Sequence, residues 1–232
     1  MPNIPNPIAI DGPAASGKST IGRMLADRLD YAFLDTGCMY RAVTLAVLEQ
    51  NIDPGDEPSV VNVTKNIEID LEYPPTNSDG RLYSVYLNGK DVTWEIRRSD
   101  VDSHVSLISS YKEVRIILVE KQRLLAQRGK VVVVGRDIGT VVLPEAPLKL
   151  YIVASPEERA RRRWLEQKNG VRLTYEEILE DIIRRDNIDG SRKYSPMIAA
   201  DDAVHIDTTG LNQVQVIDRI LDLAIFHTKL QP

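Results

Sequence analysis

Gly12-Pro13-Ala14-Ala15-Ser16-Gly17-Lys18-Ser19 is the stretch on which the reading of this chain turns. It has the spacing G-x-x-x-x-G-K-[ST], with the aliphatic run Ile8-Ala9-Ile10 before it and a helical pattern from Ser19 to Leu29 after it. Strand, glycine loop and helix in that order are the context such a motif requires. Glycines let the main chain wrap closely around a polyphosphate, so that successive N–H groups and the helix N-terminus face negative charge. Lys18 would reach the β- and γ-phosphates, and the Ser19 hydroxyl would be a ligand to Mg²⁺. A plain strand-to-helix turn has no need of the lysine and serine, so the chain is expected to bind a nucleoside triphosphate.

Working outward, the strands and helices alternate. Tyr31–Leu34 reads as a second strand ending in Asp35-Thr36-Gly37, and a helix is expected from Met39 to Gln50. Pro54, Gly55 and Pro58 then break the pattern. From about Asn66 to Trp94 apolar and polar residues alternate in short runs separated by turns at Pro74–Gly80 and Asn88-Gly89, which predicts a small antiparallel sheet inserted into the alternation. One long helix is expected over Ser106–Arg128, stopped by Gly129. Val131–Val134 is a β-branched run of the kind found in parallel strands covered on both faces. Strands at Leu148–Ala154 and Ala203–Ile206, with helices at about Pro156–Gln167, Thr174–Asp186 and Leu211–His227, complete a parallel three-layer α/β arrangement.

Composition narrows the partners. The chain has 232 residues, a net charge of −5, 43% hydrophobic and 27% charged residues, which suits a globular protein and argues against a general nucleic-acid or membrane-surface binder. An anionic ligand must therefore be held by local arginines. A single cysteine, Cys38, excludes an intramolecular disulfide and reads as a small space-filling residue. The longest apolar run, Leu150–Ala154, is too short to span a bilayer, and Pro2, Pro5 and Pro7 interrupt the start, so a cytoplasmic location is expected.

In a doubly wound sheet, ligands sit beyond the C-terminal strand ends. Asp11 to Ser19, Asp35 to Arg41 and Arg136-Asp137 each follow a strand and, if the strands are parallel, share one rim. In Glu157-Glu158-Arg159-Ala160-Arg161-Arg162-Arg163 the pairs Glu157–Arg161 and Glu158–Arg162 suit a solvated helix face. Arg159 and Arg163 share a face with little acid nearby, and nucleotide phosphates would neutralise them. The run Arg184 to Arg192 serves a salt-bridged loop beyond a helix end as well as a ligand. His104, His205 and His227 are scattered and form no acid–base or metal constellation.

These segments, in order and at this spacing, resemble bacterial-type cytidylate kinases over nearly the whole chain. The markers are Ile10-Asp11-Gly12-Pro13, Leu34-Asp35-Thr36-Gly37-Cys38-Met39-Tyr40-Arg41, Gly135-Arg136-Asp137-Ile138-Gly139-Thr140-Val141-Val142, the arginine run at 159–163, and Arg185-Asp186 with Asp189 and Arg192. The resemblance implies a P-loop nucleoside monophosphate kinase fold with a small antiparallel β insertion and a helical lid. Residues 1–60 and 106–232 would form the core, about 156–170 the lid, and 61–105 the NMP-binding insertion. The implied reaction moves the ATP γ-phosphoryl group to CMP or dCMP with Mg²⁺, in a monomer acting on small molecules rather than on nucleic acid or membrane. Gly12 through Ser19 and Thr20 would bind ATP. Arg41, Arg136 and Arg192 would hold the CMP phosphate, and Arg185 and Asp189 the sugar hydroxyls. Ser106, Arg115 and Asp137 would read the base, while Thr36 and Tyr40 line its pocket. Lys18 and Arg136, with lid residues Arg159, Arg162 and Arg163, would stabilise the transferring charge.

Two positions depart from the family pattern. Val134 stands where many relatives carry an acidic residue, so Asp11 or ordered waters would complete the Mg²⁺ shell around Ser19, and Cys38 replaces a usual alanine. Rival readings are a kinase for UMP, AMP or another phosphate acceptor, a nucleotide-dependent switch or ATPase, and a module that binds nucleotide without catalysis.

Overall fold

The computed structural model describes residues 5–77, 79–167 and 173–230, with no side chains described beyond 224. Residues 168–170 of the expected lid, Ser78 in the turn after Pro74 and the His227 side chain thus lie outside the described part. The main sheet has five parallel strands in the order β2-β6-β1-β7-β8. They are β1 (Ile8–Asp11), β2 (Ala32–Asp35), β6 (Val131–Gly135), β7 (Leu148–Val153) and β8 (Val204–Asp207). Strand alternation sends Ile8, Ile10, Val132 and Val134 into one apolar cluster with Ile21 and Leu25 of α1 (Lys18–Leu29) and Ile217 and Ile220 of α8 (Gln213–Leu230). Ala9, Leu34, Val131 and Val133 face the other way, onto Val119 and Ala126 of α5 (Lys112–Ala126). Both faces are dry, which is why Val131–Val134 reads as an unbroken apolar run.

Register places the chemistry. Asp11 is level with Gly135, and Asp35 with Val134, so the three polar segments that follow these strands do meet at one rim.

The insertion is a three-stranded antiparallel sheet of β3 (Ile69–Glu72), β4 (Ser84–Leu87) and β5 (Lys90–Asp91). Asn88 and Gly89 turn between β4 and β5 with φ of 50° and 77°, the positive values a tight hairpin requires. Ahead of it lie α2 (Gly37–Glu49) and α3 (Glu57–Asn66). The last was not anticipated, because Pro58 reads as a breaker. It stands at the start of a helix, behind Asp56, whose side chain caps the Ser59 N–H.

Two further expectations are corrected. The long helix over Ser106–Arg128 is two helices, α4 (Ser99–Ile108) and α5, with a break at 109–111. The Ser109 and Ser110 hydroxyls bond back to the carbonyls of Ser106 and Leu107, closing α4. The helix expected to end at Asp186 runs on as α7 (Tyr175–Ser191), so Asp189 lies one turn after Arg185 on the same helix rather than in a loop. With α6 (Pro156–Leu165), α7 forms a pair around its own small cluster of Ala160, Ile178 and Ile182.

Candidate active site

The loop between β1 and α1 is shaped by close approach. A Cβ on Gly12, whose φ is +150°, would lie 2.0 Å from the Ile152 carbonyl oxygen of β7. Gly17, at φ 89°, precedes α1 without a side-chain cap, and no acidic residue occupies the first turn. The N–H groups there are left for an anion. Lys18 is buried, its Nζ donating to the Pro13 carbonyl at 2.8 Å. Burial, reinforced by Arg136, pushes its pKa down to about 7 against the opposing pull of Asp35, Asp189 and Asp11.

Ser19 Oγ donates to Asp35 Oδ2 at 2.7 Å, and Asp35 also accepts from the Gly37 N–H and the Tyr83 hydroxyl. Asp11 is differently engaged. Its oxygens accept from the Ile138 and Gly139 N–H groups, both at 2.7 Å, pinning the π-helical turn Ile138–Val142. Burial raises the Asp11 pKa to about 6 despite those donors. The carboxylate beside Ser19 is therefore Asp35 and not Asp11. Val134, fully buried beside Asp35 in the sheet, belongs to the core against α1. A serine hydroxyl and one carboxylate are hard oxygen donors that suit Mg²⁺ shared with phosphate oxygens and water. Among the described residues no cluster of three His, Cys, Asp or Glu could hold a metal by itself.

Beyond the loop opens a cavity of about 320 Å³. Lys18, Ser19, Ala14 and Ala15 form one wall. Thr36, Tyr40 and Arg41 from α2 and its cap, and Ser106 from α4, form another. Arg115, Arg136, Asp137, Arg163, Arg185, Asp189 and Arg192 complete it. The Thr36 hydroxyl turns back to the Val134 carbonyl. Arg115 Nη2 bonds Asp137 Oδ2 at 2.5 Å with both side chains almost wholly buried, and its guanidinium lies 5.2 Å from the Tyr40 ring centroid. The break between α4 and α5 leaves the Ser109 carbonyl to accept from Arg115 at 2.9 Å and Arg192 at 3.4 Å.

Asp189 ion-pairs with Arg136 and, at 2.7 Å, with Arg192. Burial alone would raise the Asp189 pKa, but those arginines outweigh it and hold it below the usual carboxylate range. Asp102 is a second anion lining the cavity, paired with Arg41, Arg163 and Arg185.

The arginines of α6 divide. Arg163 lines the cavity. Arg159 is 2% exposed, bound to Asp186 at 2.6 Å and to the carbonyls of Ala154 and Ala14. Arg162 reaches Glu158 and Thr208, and its Nη1 lies 3.8 Å from where a Gly17 Cβ would stand. The expected surplus of charge on Arg159 and Arg163 is thus met by Asp186 and Asp102, and Arg161 pairs with Glu158 rather than Glu157. Cys38 is buried with its thiol on the Asp35 carbonyl, and burial pushes its pKa well up, as a space-filling residue requires.

Four contributors were not singled out by sequence reasoning: Asp35 as the partner of Ser19, Tyr83, Arg97 and Asp102. Asp35 had a signal in its place at a strand end. Arg97, stacked 5.8 Å from both Tyr83 and Trp94, and Asp102 reach the cavity through the tertiary fold alone.

A family model described as "Cytidylate kinase" matches residues 8–225. A cytidylate kinase of Caldanaerobacter subterraneus is 47% identical over 230 residues, covering 99% of each chain. One from Bacillus velezensis is 46% identical over 217 residues, 93% of this chain and 95% of that protein. An uncharacterized protein from Eubacterium ventriosum, of solved structure, aligns with a TM-score of 0.50 at 13% identity over 94% of this chain and 96% of that one, a likeness of fold alone.

Proposed function

The chain belongs to the cytidylate kinase family, and from that premise we propose how its cavity works. The protein is a nucleoside monophosphate kinase that transfers the γ-phosphoryl group of ATP to CMP or dCMP, giving ADP and CDP or dCDP. The glycine loop, with Lys18, Ser19 and Thr20, holds the ATP phosphates. Ser19 and Asp35 would hold Mg²⁺, which would supply positive charge to the triphosphate. Arg41, Arg136 and Arg192 take the acceptor phosphate, and Arg185 and Asp189 the sugar. The insertion (61–105) closes on the acceptor and α6 closes on the donor.

The acceptor is already an anion, so no general base is needed. The difficulty is electrostatic: two negative phosphates must approach in line while charge builds on the leaving ADP. Lys18, set by the Pro13 carbonyl, and the cavity arginines, set by their carboxylate partners, provide that charge without reorganising at the moment of transfer. Arg159 steadies the loop through the Ala14 carbonyl, and Arg162 and Arg163 stand beside the loop and the cavity. Closure keeps out water, which would otherwise accept the phosphoryl group.

The observation that carries the reading is the buried Arg115–Asp137 pair at the cavity wall, close to Ser106. Asp137 uses one oxygen on Arg115, and the other suits the cytosine N4 amino group, while Arg115 suits the ring acceptors. Uracil would set a carbonyl against that carboxylate, a loss of about 1–3 kcal/mol. A panel of nucleoside monophosphates with ATP, followed by ADP release, tests this. CMP and dCMP should lead UMP and AMP, and Asp137→Asn should narrow the gap between CMP and UMP; indifference to CMP would remove the reading. The protein acts on free nucleotides as a cytoplasmic monomer in this account. Among the described residues no helix is long and apolar enough to cross a membrane.

A further inference from the structure

Asp102 lies on α4, in the insertion, and gathers guanidinium groups from three other helices. Its Oδ1 accepts from Arg41 of α2 at 2.5 Å, and its Oδ2 from Arg163 of α6 at 2.8 Å. Arg185 of α7 reaches its main-chain oxygen at 2.6 Å and Oδ1 at 3.3 Å. The carboxylate lines the same cavity as Lys18 and is one-fifth exposed, while Arg41 and Arg163 are about one-quarter exposed. An anion whose two oxygens are shared among arginines matches the acceptor pair that a phosphate would offer them. Placed in a cleft built for phosphate, it competes with the ligand.

We propose that Asp102 is a positioning residue that stands in for a substrate phosphate: it takes Arg41 and Arg163 when the cavity is empty and yields them to the nucleotide. This rests on the reading that CMP binds in this cavity. The sign of its effect follows from the other anchors. Arg41 also donates to the Ile96 carbonyl at 3.1 Å, and Arg185 Nε pairs with Asp181 at 2.9 Å, so both stay in place without Asp102. Among the described residues Arg163 has only Asp181 at 3.8 Å in reserve, and so becomes free to follow the ligand. Removing the carboxylate therefore takes away a repelling charge more than it takes away alignment. The nucleotide binds more tightly and, since CDP must leave past the same arginines, departs more slowly. Asp102 would then serve turnover by reclaiming its partners as product goes.

The test is Asp102→Asn, which keeps the shape and drops the charge, in the full chain. Calorimetry should find CMP and CDP bound about fivefold more tightly than in the parent protein, with kcat and KM for CMP both lowered. A merely structural role would instead raise KM or leave it alone. Equal or weaker binding of CMP and CDP by a folded Asp102→Asn protein overturns the inference. Nitrogen-15 spectra of the arginine side chains in the unaltered protein give a second reading that needs no variant. The Arg41 and Arg163 signals should move on saturation with CMP, and unmoved signals overturn the proposal. If the parent protein itself fails to bind CMP, the functional reading falls first; if it binds CMP and the variant gains nothing, this inference falls alone.

Discussion

Lys18 shows how one residue carries both the sequence signal and a measurable consequence. Its place in the motif is purely local, so it is legible from Gly12 to Ser19 alone. Its state is not: burial and Arg136 together hold it near pH 7, and neither is visible in the motif. Above that pH the amine of the empty protein is largely neutral. A triphosphate laid beside it favours the charged form, so the bound pKa rises and a proton is taken up. At pH 8 ATP binding should absorb close to one proton, and affinity should fall as pH climbs above 7. Calorimetry in two buffers of different ionisation enthalpy reads this directly, and a heat independent of buffer would rule the account out. Gly12 gives the steric counterpart. With a carbonyl oxygen 2.0 Å from any added Cβ, Gly12→Ala must displace the loop or β7, and ATP binding should fall by more than about tenfold while CMP binding stays within about twofold. Equal losses of both ligands would show that the damage is general. The partners that fix the arginines lay beyond sequence reasoning for a plain reason: Asp102 is 61 residues from both Arg41 and Arg163, and Asp186 is 27 from Arg159.

Elements were legible where one strong period ran without interruption, as in β1, α1 and β6. They were misread where a local device overruled the period. In α3, Asp56 and Pro58 mark a start, yet a proline so soon after Pro54 and Gly55 reads as a stop, although Val60, Val63 and Ile67 follow it at helical spacing. In the expected helix over 106–128 the apolar period persists through the break, because α4 and α5 both face the core. What divides them is a pair of serine hydroxyls and the demand that Ser106 and Arg115 reach one cavity. The helix pair α6–α7 allows a test of capping. Thr174 and Glu177 exchange side-chain bonds with each other's main chain at the start of α7, at 3.1 and 2.7 Å. Thr174→Ala should weaken that end by about 1 kcal/mol. Amide exchange at Glu177 and Ile178 should then quicken by about fivefold, with the strands of the main sheet unchanged. Unaltered exchange at those amides would mean that the tertiary contacts of α7, rather than its cap, hold its first turn.

At the scale of the molecule, the proposed insertion and lid on either side of the cavity are built differently, and this should set the order in which they open. The insertion shares the main core: Val63, Val85, Leu87 and Val92 are buried in one continuous apolar cluster with Ile8, Ile10 and Leu148. Among the described residues the α6–α7 pair has Ala160, Ile178 and Ile182 as its own buried apolar cluster, and much of its further attachment is polar, through Arg159 to the loop, Arg162 to Thr208, Asp189 to Arg136, Arg192 to the Ser109 carbonyl, and Arg163 and Arg185 to Asp102 of α4. Apolar burial stabilises by about 25 cal/mol per Å² and persists in salt, whereas partly exposed ion pairs such as Arg163–Asp102 are weakened by screening. The lid is therefore the weaker unit, and its attachment is the more sensitive to ionic strength. Native-state hydrogen exchange should show α6 and α7 opening at a lower free energy than β3, β4 and α3, with the gap widening as salt is added. A non-hydrolysable ATP analogue should protect α6 and α7 selectively, because phosphates then replace carboxylates as partners of the lid arginines. CMP should protect α4 and the small sheet first. If both flaps opened together at one free energy and responded alike to either ligand, the division into a cored insertion and an ionically held lid would be wrong, and donor and acceptor would have to be gated by a single motion.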